Sequence, residues 1–258
     1  MSLLADKCIL VTGILSKKSI AYGIAEQCRN MGSELILTYQ NERFESRIKD
    51  IASELGSALV YPCDVTNDEQ IDTLFNNLEK NNLTIDGLVH AVAYAPRDAI
   101  GGSFLSGCSR NSFQIAHDVS AYSLVALVRG ALRLMTNGGS VVAMTYLGSE
   151  RAVPNYNTMG LAKASLEAAI RYTAYEVGSK GVRVNGISAG PIRTIASSGI
   201  EDFSNILKHV SSHAPLKRNV TLDDISGTAG FLLSSLSSGI TGEILYVDCG
   251  YRTVLPIG

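Results

Sequence analysis

Two residues near the middle of the chain have the types and spacing to act together in catalysis. Tyr156 and Lys163 lie seven residues apart in the segment Tyr-Asn-Thr-Met-Gly-Leu-Ala-Lys, and a second tyrosine, Tyr146, lies ten residues before Tyr156. Seven residues of an α-helix turn through about 700°, so the two side chains would share one helix face. An ammonium beside a phenol favours states in which negative charge grows on an oxygen, which suits stabilisation or protonation of an oxyanion. The same spacing also fits an ordinary amphipathic surface pair.

The elements that would position this pair follow an alternating strand and helix pattern. The segments that predict strands are apolar along their whole length, as in parallel sheets whose two faces are covered by helices. We predict one Rossmann-like α/β domain over residues 1–258, with a seven-stranded parallel sheet and helices on both faces. The predicted strands are 7–11, 34–39, 58–63, 87–93, 139–145, 182–188 and 243–247.

Three further segments bear on the site. A helix is predicted over 20–31 and ends at Gly32, a residue that readily adopts the left-handed cap conformation. The longest predicted helix, 155–178, follows Pro154 and carries Tyr156 and Lys163. Residues 193–215 follow Gly190-Pro191 without a strand pattern and are a candidate substrate-binding lid. Their apolar helical face fits core packing equally well.

Composition excludes several classes of protein. Hydrophobic residues make up 46% of the chain, charged residues 18%, and the formal net charge is -2, which argues against disorder and against nucleic-acid binding. The five cysteines are an odd number without a Cys-x-x-Cys pair, and the four histidines lack metal-ligand spacing. No apolar stretch is long enough for a membrane span. We therefore expect a cytoplasmic protein without a metal site.

The turn after the first strand is a candidate dinucleotide site, although it lacks a glycine-rich motif. Gly13 ends the strand, residues 14–18 contain no glycine, and Ser19 precedes the helix, so an ordinary strand-to-helix turn fits as well. After the third strand, Asp64 and Val65 would contact an adenine, or Asp64 would cap the next helix. Arg43 is the one cation in 39–43, where a 2′-phosphate would need well-placed positive charge. NADH is therefore the predicted cofactor.

With these features in place, the chain resembles the bacterial-type, NADH-dependent enoyl-[acyl-carrier-protein] reductases, a divergent branch of the short-chain dehydrogenase/reductase family. The resemblance runs from end to end. It rests on Val-Thr-Gly-Ile-Leu-Ser-Lys-Lys-Ser-Ile-Ala-Tyr-Gly-Ile-Ala, Thr-Tyr-Gln-Asn, Cys-Asp-Val, Ile-Ala-His-Asp-Val-Ser, Val-Pro-Asn-Tyr-Asn-Thr-Met-Gly-Leu-Ala-Lys and Val-Arg-Val-Asn-Gly-Ile-Ser-Ala-Gly-Pro-Ile-Arg-Thr. Carbonyl reductases of the wider family place tyrosine and lysine four residues apart and carry a serine where this chain has Tyr146. The wider spacing favours the enoyl reductase branch.

The resemblance implies an activity and a set of site residues. Hydride passes from NADH to the β-carbon of a trans-2-enoyl thioester carried by acyl carrier protein, in fatty-acid elongation. Tyr146 and Tyr156 would form the reacting centre with Lys163, Ala95 would border the substrate, and the protein would be a homotetramer. The residues implied to contact the cofactor are Gly13, Ser19, Ile20, Gln40, Asp64, Val65, Val92, Lys163, Ile192, Arg193, Thr194, Ile195 and Ala196.

Two positions depart from the family pattern, and two other functions compete. Ala93 stands where relatives commonly have glycine, which changes the expected pocket shape, and Cys249 replaces a glycine near the C-terminus. The first competing function is reduction of a carbonyl substrate by another short-chain dehydrogenase/reductase. The second is a catalytically silent dinucleotide sensor. The Tyr146 and Tyr156 arrangement argues against the first, and the intact Tyr156 and Lys163 pair argues against the second.

Overall fold

A parallel sheet forms the centre of the protein in a computed structural model that describes residues 2–57, 59–194, 197 and 202–255. Its strands are β1 (Cys8–Thr12), β2 (Glu34–Tyr39), β3 (Leu59–Pro62), β4 (Gly87–His90), β5 (Gly139–Thr145), β6 (Val182–Ala189) and β7 (Ile244–Val247). Their spatial order is β3-β2-β1-β4-β5-β6-β7, and each neighbouring pair is parallel. The predicted seven-stranded parallel sheet is confirmed.

The helices of the described residues alternate with these strands. They are α1 (Ile20–Asn30), α2 (Glu42–Glu54), α3 (Asp68–Lys80), α4 (Phe104–Gly107), α5 (Arg110–His117), α6 (Ser123–Leu132), α7 (Asn157–Val177), α8 (Phe203–His213) and α9 (Leu222–Leu233). Side chains of Ser19, Asn41, Asn67 and Thr221 accept hydrogen bonds from first-turn N–H groups and so fix where four of them begin. Among these helices none has the length and apolar character of a membrane span.

Helices cover both faces of the sheet, as predicted. Ile9 and Val11 of β1 pack in one hydrophobic cluster with α1, α2 and α9, whereas Leu10 packs in a second cluster with α3, α6 and α7. Successive side chains of a strand point to opposite faces, so an uninterrupted apolar strand requires apolar cover on both sides. The uninterrupted apolar strands of the sequence are therefore explained by this arrangement of three layers, with one sheet between two layers of helices.

The strand β4 is shorter than predicted. It pairs with β1 up to Thr12 and with β5 up to Ala143, and it ends at His90 instead of residue 93. Gly13 has φ +89° and turns the chain away immediately after β1. Residues beyond His90 therefore have no β1 strand to pair with, and they leave the sheet as a loop. This loop is in a position to border a ligand.

A π-helical turn, Asp118–Tyr122, connects α5 to α6 and holds this loop. Ser120 of the turn is completely buried. Its hydroxyl accepts a hydrogen bond from the Tyr94 N–H (3.1 Å) and donates one to the Tyr94 carbonyl oxygen (3.3 Å). Single π-turns inside helices are frequent at functional sites. The two hydrogen bonds of Ser120 thus fix the loop after β4 at Tyr94.

Candidate active site

The carboxyl ends of the strands form a crevice where the strand order reverses between β1 and β4, the usual ligand position in an open α/β sheet. A Cβ built on Gly13 would lie 2.2 Å from the Ala91 carbonyl oxygen, so only glycine lets the two backbones approach this closely. Ser19 caps α1, where it accepts a hydrogen bond from the Tyr22 N–H (3.3 Å). The N–H groups of the first turn of α1 beside Gly13 have the geometry to receive a pyrophosphate.

A polar pair lies where the adenosine end of a dinucleotide would bind. Gln40 Nε2 donates to Asp64 Oδ2 (3.1 Å), and Thr66 donates to Asp64 Oδ1 through both N–H (3.0 Å) and hydroxyl (2.8 Å). Partial burial raises the pKa of Asp64, but these hydrogen bonds outweigh it and lower the pKa below its ordinary value. Asp64 is therefore an ionised acceptor. It does not cap the following helix, because Asn67 caps α3.

A second cation on α2, which contacts the loop before α1, was missed in the sequence. Arg43 is exposed, and its backbone N–H donates to Asn41 Oδ1 (3.2 Å). Arg47, one turn further along α2, places Nη1 3.4 Å from the Leu15 carbonyl oxygen in the loop before α1. The helical spacing of Arg43 and Arg47 is the signal that could have found it.

Two tyrosines of the suspected reacting centre meet where β5 ends and α7 begins. The rings of Tyr146 and Tyr156 make an edge contact, with centroids 4.8 Å apart and an interplanar angle of 67°. Lys163 is only 5% exposed, and its Nζ donates to the Met144 carbonyl oxygen (2.7 Å) on β5. Two of its three ammonium donors remain available. Lys163 therefore faces the sheet, whereas Tyr156 lies just before α7 as its N-cap residue, so the two are not an exposed pair on one helix face.

The protonation states follow from burial. Burial raises the pKa of Tyr146 to about 12, and the phenol of Tyr251 adds to this effect. Burial also raises the pKa of Tyr156, to which Tyr146 and Glu167 contribute. Burial lowers the pKa of Lys163 to about 8, against a partial increase caused by Glu167. At neutral pH both phenols are hydrogen-bond donors and most Lys163 side chains are charged.

Two glycines unnoticed in the sequence shape the space around Tyr156. A Cβ on Gly148 would lie 2.4 Å from Tyr156 Cδ1, and a Cβ on Gly160 would lie 2.7 Å from the Gly148 carbonyl oxygen. These glycines allow the turn after β5 to pack directly on the first turns of α7. The position of Gly160, one helical turn after Tyr156, is the one sequence signal for this contact.

Buried polar contacts missed in the sequence lie behind Lys163. Thr145 Oγ1 donates to Glu167 Oε1 (2.7 Å), and Glu167 is only 7% exposed one turn after Lys163. His90 is completely buried, and its Nε2 lies 2.7 Å from Ser123 Oγ. Burial and the charge of Lys163 lower the pKa of His90 to about 3, so this imidazole is neutral at physiological pH. The two buried ionisable neighbours of Lys163 are thus the carboxylate of Glu167 and the neutral imidazole of His90.

The predicted substrate neighbour Ala95 lies beside the reacting centre. It is 6% exposed and belongs to a small cluster with Ala99, Ala116, Met159 and Ala162, against which Tyr156 packs. Ala93 and Tyr94 are exposed in the preceding loop. Val65 is buried and Val92 is partly buried, both in the cluster under α3 and α6. The loop after β4 therefore connects the dinucleotide crevice to the tyrosines.

A small cleft lies beside Tyr146. It is lined by Tyr146, Leu147, Ser188, Ala189, Gly190, Pro191, Val210, Asp248 and Tyr251. Ile192 packs on the core nearby, Arg193 Nη2 donates to Ser204 Oγ (3.1 Å), and Thr194 N–H donates to Ser197 Oγ (2.8 Å). Ile195 and Ala196, also predicted to contact the cofactor, lie outside the described residues.

The low pKa of Lys163 predicts a pH dependence of cofactor binding. Below about pH 8 the ammonium is charged and would attract an anionic dinucleotide bound at the predicted site, and above that pH the amine is neutral. We expect kcat/KM for NADH, which reports the free enzyme, to fall as pH rises through about 8. His90 remains neutral over this range and adds no second step. Initial rates between pH 6 and about 10 measure the effect.

The Lys163→Arg variant is the control for this titration, since a guanidinium stays charged over the whole range. Its kcat/KM for NADH is expected to be lower but independent of pH. A wild-type profile that is flat to about pH 10 would contradict the prediction, and an alkaline decrease that persists unchanged in Lys163→Arg would assign the titration to another group.

Comparison with known proteins agrees with this geometry. The model of the Enoyl-(Acyl carrier protein) reductase family matches residues 13–252. The enoyl-[acyl-carrier-protein] reductase [NADH] FabI of Neisseria meningitidis is 54% identical over 252 residues, covering 97% of both chains. The protein of the same name from Escherichia coli K12 is 49% identical over 251 residues, covering 97% of this chain and 96% of the relative.

The fold agrees equally well with a solved structure. The Bacillus cereus enoyl-acyl carrier protein reductase, in complex with NADP+ and indole naphthyridinone, superposes with a TM-score of 0.97 at 45% identity, and the match covers 99% of this chain and all of the other. Because sequence and structure match along nearly the whole length, the predicted resemblance is confirmed, and this chain belongs to the enoyl-(acyl carrier protein) reductase family.

Proposed function

We propose that the chain is an NADH-dependent enoyl-[acyl-carrier-protein] reductase of fatty-acid elongation. It reduces the double bond of a trans-2-enoyl thioester carried by acyl carrier protein. The observation that carries the proposal is the contact of the Tyr146 and Tyr156 rings beside buried Lys163, at the carboxyl edge of a dinucleotide-binding sheet. When bound, NADH would supply the hydride that adds at the β-carbon, and a proton added at the α-carbon of the resulting enolate would complete the reduction.

Tyr156 acts on the thioester oxygen. Its raised pKa keeps the phenol protonated, so it donates a hydrogen bond that strengthens as enolate charge accumulates. Tyr146 contacts the Tyr156 ring edge and closes the same pocket. The packing of Gly148 against Tyr156 restricts the ring further, so the donor is positioned before the reaction begins.

Lys163 anchors the cofactor. One ammonium hydrogen is held by the Met144 carbonyl, and the other two are available to the hydroxyls of the nicotinamide ribose. The same positive charge favours the developing oxyanion. The close approach of Gly13 to Ala91 and the first turn of α1 at Ser19 fit the pyrophosphate. The remaining cofactor contacts are assigned to Ile20, Gln40, Asp64, Val65, Val92, Ile192, Arg193, Thr194, Ile195 and Ala196.

The assay for this proposal follows NADH absorbance with a short trans-2-enoyl thioester. Turnover with the enoyl thioester and not with ketones is the expected result. Preferential turnover of ketones would instead favour a carbonyl reductase, and tight NADH binding without turnover of any substrate would favour a dinucleotide sensor. Neither alternative has an observation in the structure that favours it over the enoyl reductase.

Cofactor preference provides a prediction. Gln40 is neutral and donates a hydrogen bond to Asp64. Neither residue of this pair supplies the positive charge that a 2′-phosphate on the adenosine ribose would need. We expect kcat/KM for NADH to exceed that for NADPH by about tenfold or more, since a phosphate needs charge-assisted hydrogen bonds. The Gln40→Arg variant should lower the ratio of kcat/KM for NADH to kcat/KM for NADPH, because its guanidinium can bind the 2′-phosphate. Equal efficiency of the wild-type enzyme with both cofactors would contradict this interpretation.

Residues 193–215 form the substrate lid in this proposal. Within it, α8 buries only Leu207 and Val210, and Val210 lines the cleft beside Tyr146. Asp202 precedes the helix with φ +56° and makes no side-chain cap, which favours local opening. We expect the amides of α8 to exchange hydrogen about tenfold more slowly when NAD+ is bound. Slow exchange in the free protein, unchanged by NAD+, would contradict the lid assignment.

The assembly is proposed to be a homotetramer in the cytoplasm. Leu105 and Tyr175 are 86% and 88% exposed, which leaves apolar surface for contacts between copies. The five cysteines are free thiols, as in a reducing compartment. Light scattering of the purified protein measures the mass, and a monomer at micromolar concentration would contradict the tetramer.

A further inference from the structure

Tyr156 lies between two asparagines whose backbones are left-handed. Asn155 has φ +63° and Asn157 has φ +41°, whereas Tyr156 itself has φ -94°. For residues other than glycine this region of backbone space is disfavoured, although asparagine tolerates it best. Strained residues of this kind persist where the surrounding structure over-determines them, and they cluster at functional sites. The strain here flanks the proposed oxyanion donor on both sides.

The side chain of Asn157 supplies the contact that holds this conformation. Its Nδ2 donates to the carbonyl oxygens of Gly101 (2.9 Å) and Gly102 (3.4 Å). In return, the Gly101 N–H donates to the Asn155 carbonyl oxygen (3.1 Å). Gly101 and Gly102 are themselves left-handed, with φ +93° and +57°. Two unusual turns, distant in sequence, thus fix one another through three hydrogen bonds.

The turn that receives the Asn157 amide belongs to the substrate side of the site. It directly follows Ile100, which packs with Tyr156 against the cluster that contains Ala95. The Asn157 amide therefore sets the distance between the wall that borders the substrate and the backbone of Tyr156. Packing against Gly148 restricts the ring of Tyr156, but it does not fix the backbone that carries the ring.

We propose that Asn157 is a positioning residue for the reaction: by binding the Gly101 and Gly102 carbonyls, it places the phenol of Tyr156 relative to the thioester oxygen. This inference rests on the role of Tyr156 under the proposed function. Asn157 itself does not touch substrate or cofactor in this assignment. The competing interpretation is that Asn157 only stabilises the start of α7, in which case its loss lowers stability and leaves the chemistry of Tyr156 unaffected.

Two substitutions separate the amide from the backbone conformation. Asn157→Asp keeps the shape of the side chain but replaces the donating Nδ2 by an oxygen, which faces the two carbonyl oxygens without a hydrogen bond. We expect kcat/KM for the enoyl thioester to fall about tenfold, mainly in kcat. Asn157→Gly keeps the left-handed backbone without strain but lacks the amide, and a loss of about threefold is expected. The Kd for NADH is expected to stay within about twofold in both variants, because the proposed cofactor contacts remain.

Asn82 offers a matched control. It has the same left-handed backbone, φ +54°, but lies just after α3 and is exposed. Asn82→Asp is expected to leave kcat/KM unchanged. If Asn157→Asp does not fold, Asn157→Gly alone decides the outcome: unchanged kcat/KM in a folded Asn157→Gly enzyme would overturn the inference.

A double-mutant cycle tests whether Asn157 acts through Tyr156. In a Tyr156→Phe background, Asn157→Asp is expected to cost less than about twofold, since the group that it positions is already absent. The full tenfold loss in that background, or an equal loss of NADH affinity, would overturn the positioning role while leaving the role of Tyr156 intact. If Tyr156→Phe is itself neutral, the role of Tyr156 in the proposed function is wrong, and the inference about Asn157 is wrong with it.

Discussion

Replacing Tyr156 by phenylalanine is expected to lower kcat/KM for an enoyl thioester by roughly 10- to 1,000-fold, the loss typical of a single oxyanion donor. The affinity for NADH should stay within about threefold, because the phenol has no proposed contact with the cofactor. Steady-state rates and NADH titrations measure the two quantities. Tyr172→Phe in α7, the helix that Tyr156 precedes, is the control, since that ring is 80% exposed and its substitution should change neither quantity.

Lys163→Ala is expected to damage a different step. It removes a charge-assisted hydrogen bond worth about 1.5–3 kcal/mol, so NADH binding weakens, and turnover falls because the cofactor is misplaced. The variant also frees the Met144 carbonyl oxygen and leaves the buried carboxylate of Glu167 without its neighbouring positive charge. Equal loss of NADH affinity in the Tyr156 and Lys163 variants, or unchanged kcat/KM in Tyr156→Phe, would show that the two roles are assigned wrongly.

A large effect on stability is expected for Gly13→Ala. The new methyl group would lie 2.2 Å from the Ala91 carbonyl oxygen, on a backbone with φ +89° that alanine strongly disfavours. We expect the free energy of unfolding to fall by about 2–4 kcal/mol through overpacking and backbone strain. For a chain of this size that lowers the Tm by roughly 5–10 °C. NADH binding should also weaken, since the crevice between β1 and β4 must open.

Gly227→Ala is the matched control for this substitution. Gly227 lies inside α9, and a Cβ there would meet nothing within 4 Å. Alanine is a better helix former than glycine, so a gain of up to about 1 kcal/mol is expected. Thermal melts of the two variants provide the comparison. A Gly13→Ala protein as stable as the wild type, with normal NADH affinity, would mean that this close approach is unimportant.

Local patterns were sufficient to predict most of the sheet. The bounds of β2 and β5 agree with the prediction, because apolar β-branched segments between turn residues report burial on both faces. The end of β4 was wrong by three residues, because it depends on whether β1 continues beside it, which a local pattern does not encode. Gly32 does have a left-handed backbone, φ +94°, as its type suggested.

The site was predictable in its residue types but not in its contacts. Tyr156 and Lys163 were identified by their spacing, yet the acceptor of Lys163 is a backbone oxygen of β5, which has no side-chain signal. Asp64 was compatible with two roles until Asn67 proved to be the helix cap. Asn157 is unremarkable as a residue type, and its importance arises only from contact with a turn 55 residues away in sequence. Contacts between residues so far apart in sequence can be identified only in the folded structure.

The π-turn at Asp118–Tyr122 has a consequence for how this site tolerates insertions and deletions. A π-turn accommodates one residue more than an α-helical turn, so deleting one residue there would let α5 and α6 join as a regular helix. Because the wide turn already absorbs the extra residue, the helices on its two sides would keep nearly the same relative orientation. The backbone path at Ser120 would change, and its two hydrogen bonds to the Tyr94 backbone would be lost while both helices stayed in place. A one-residue deletion in this turn would thus release the loop after β4 without any substitution in the pocket.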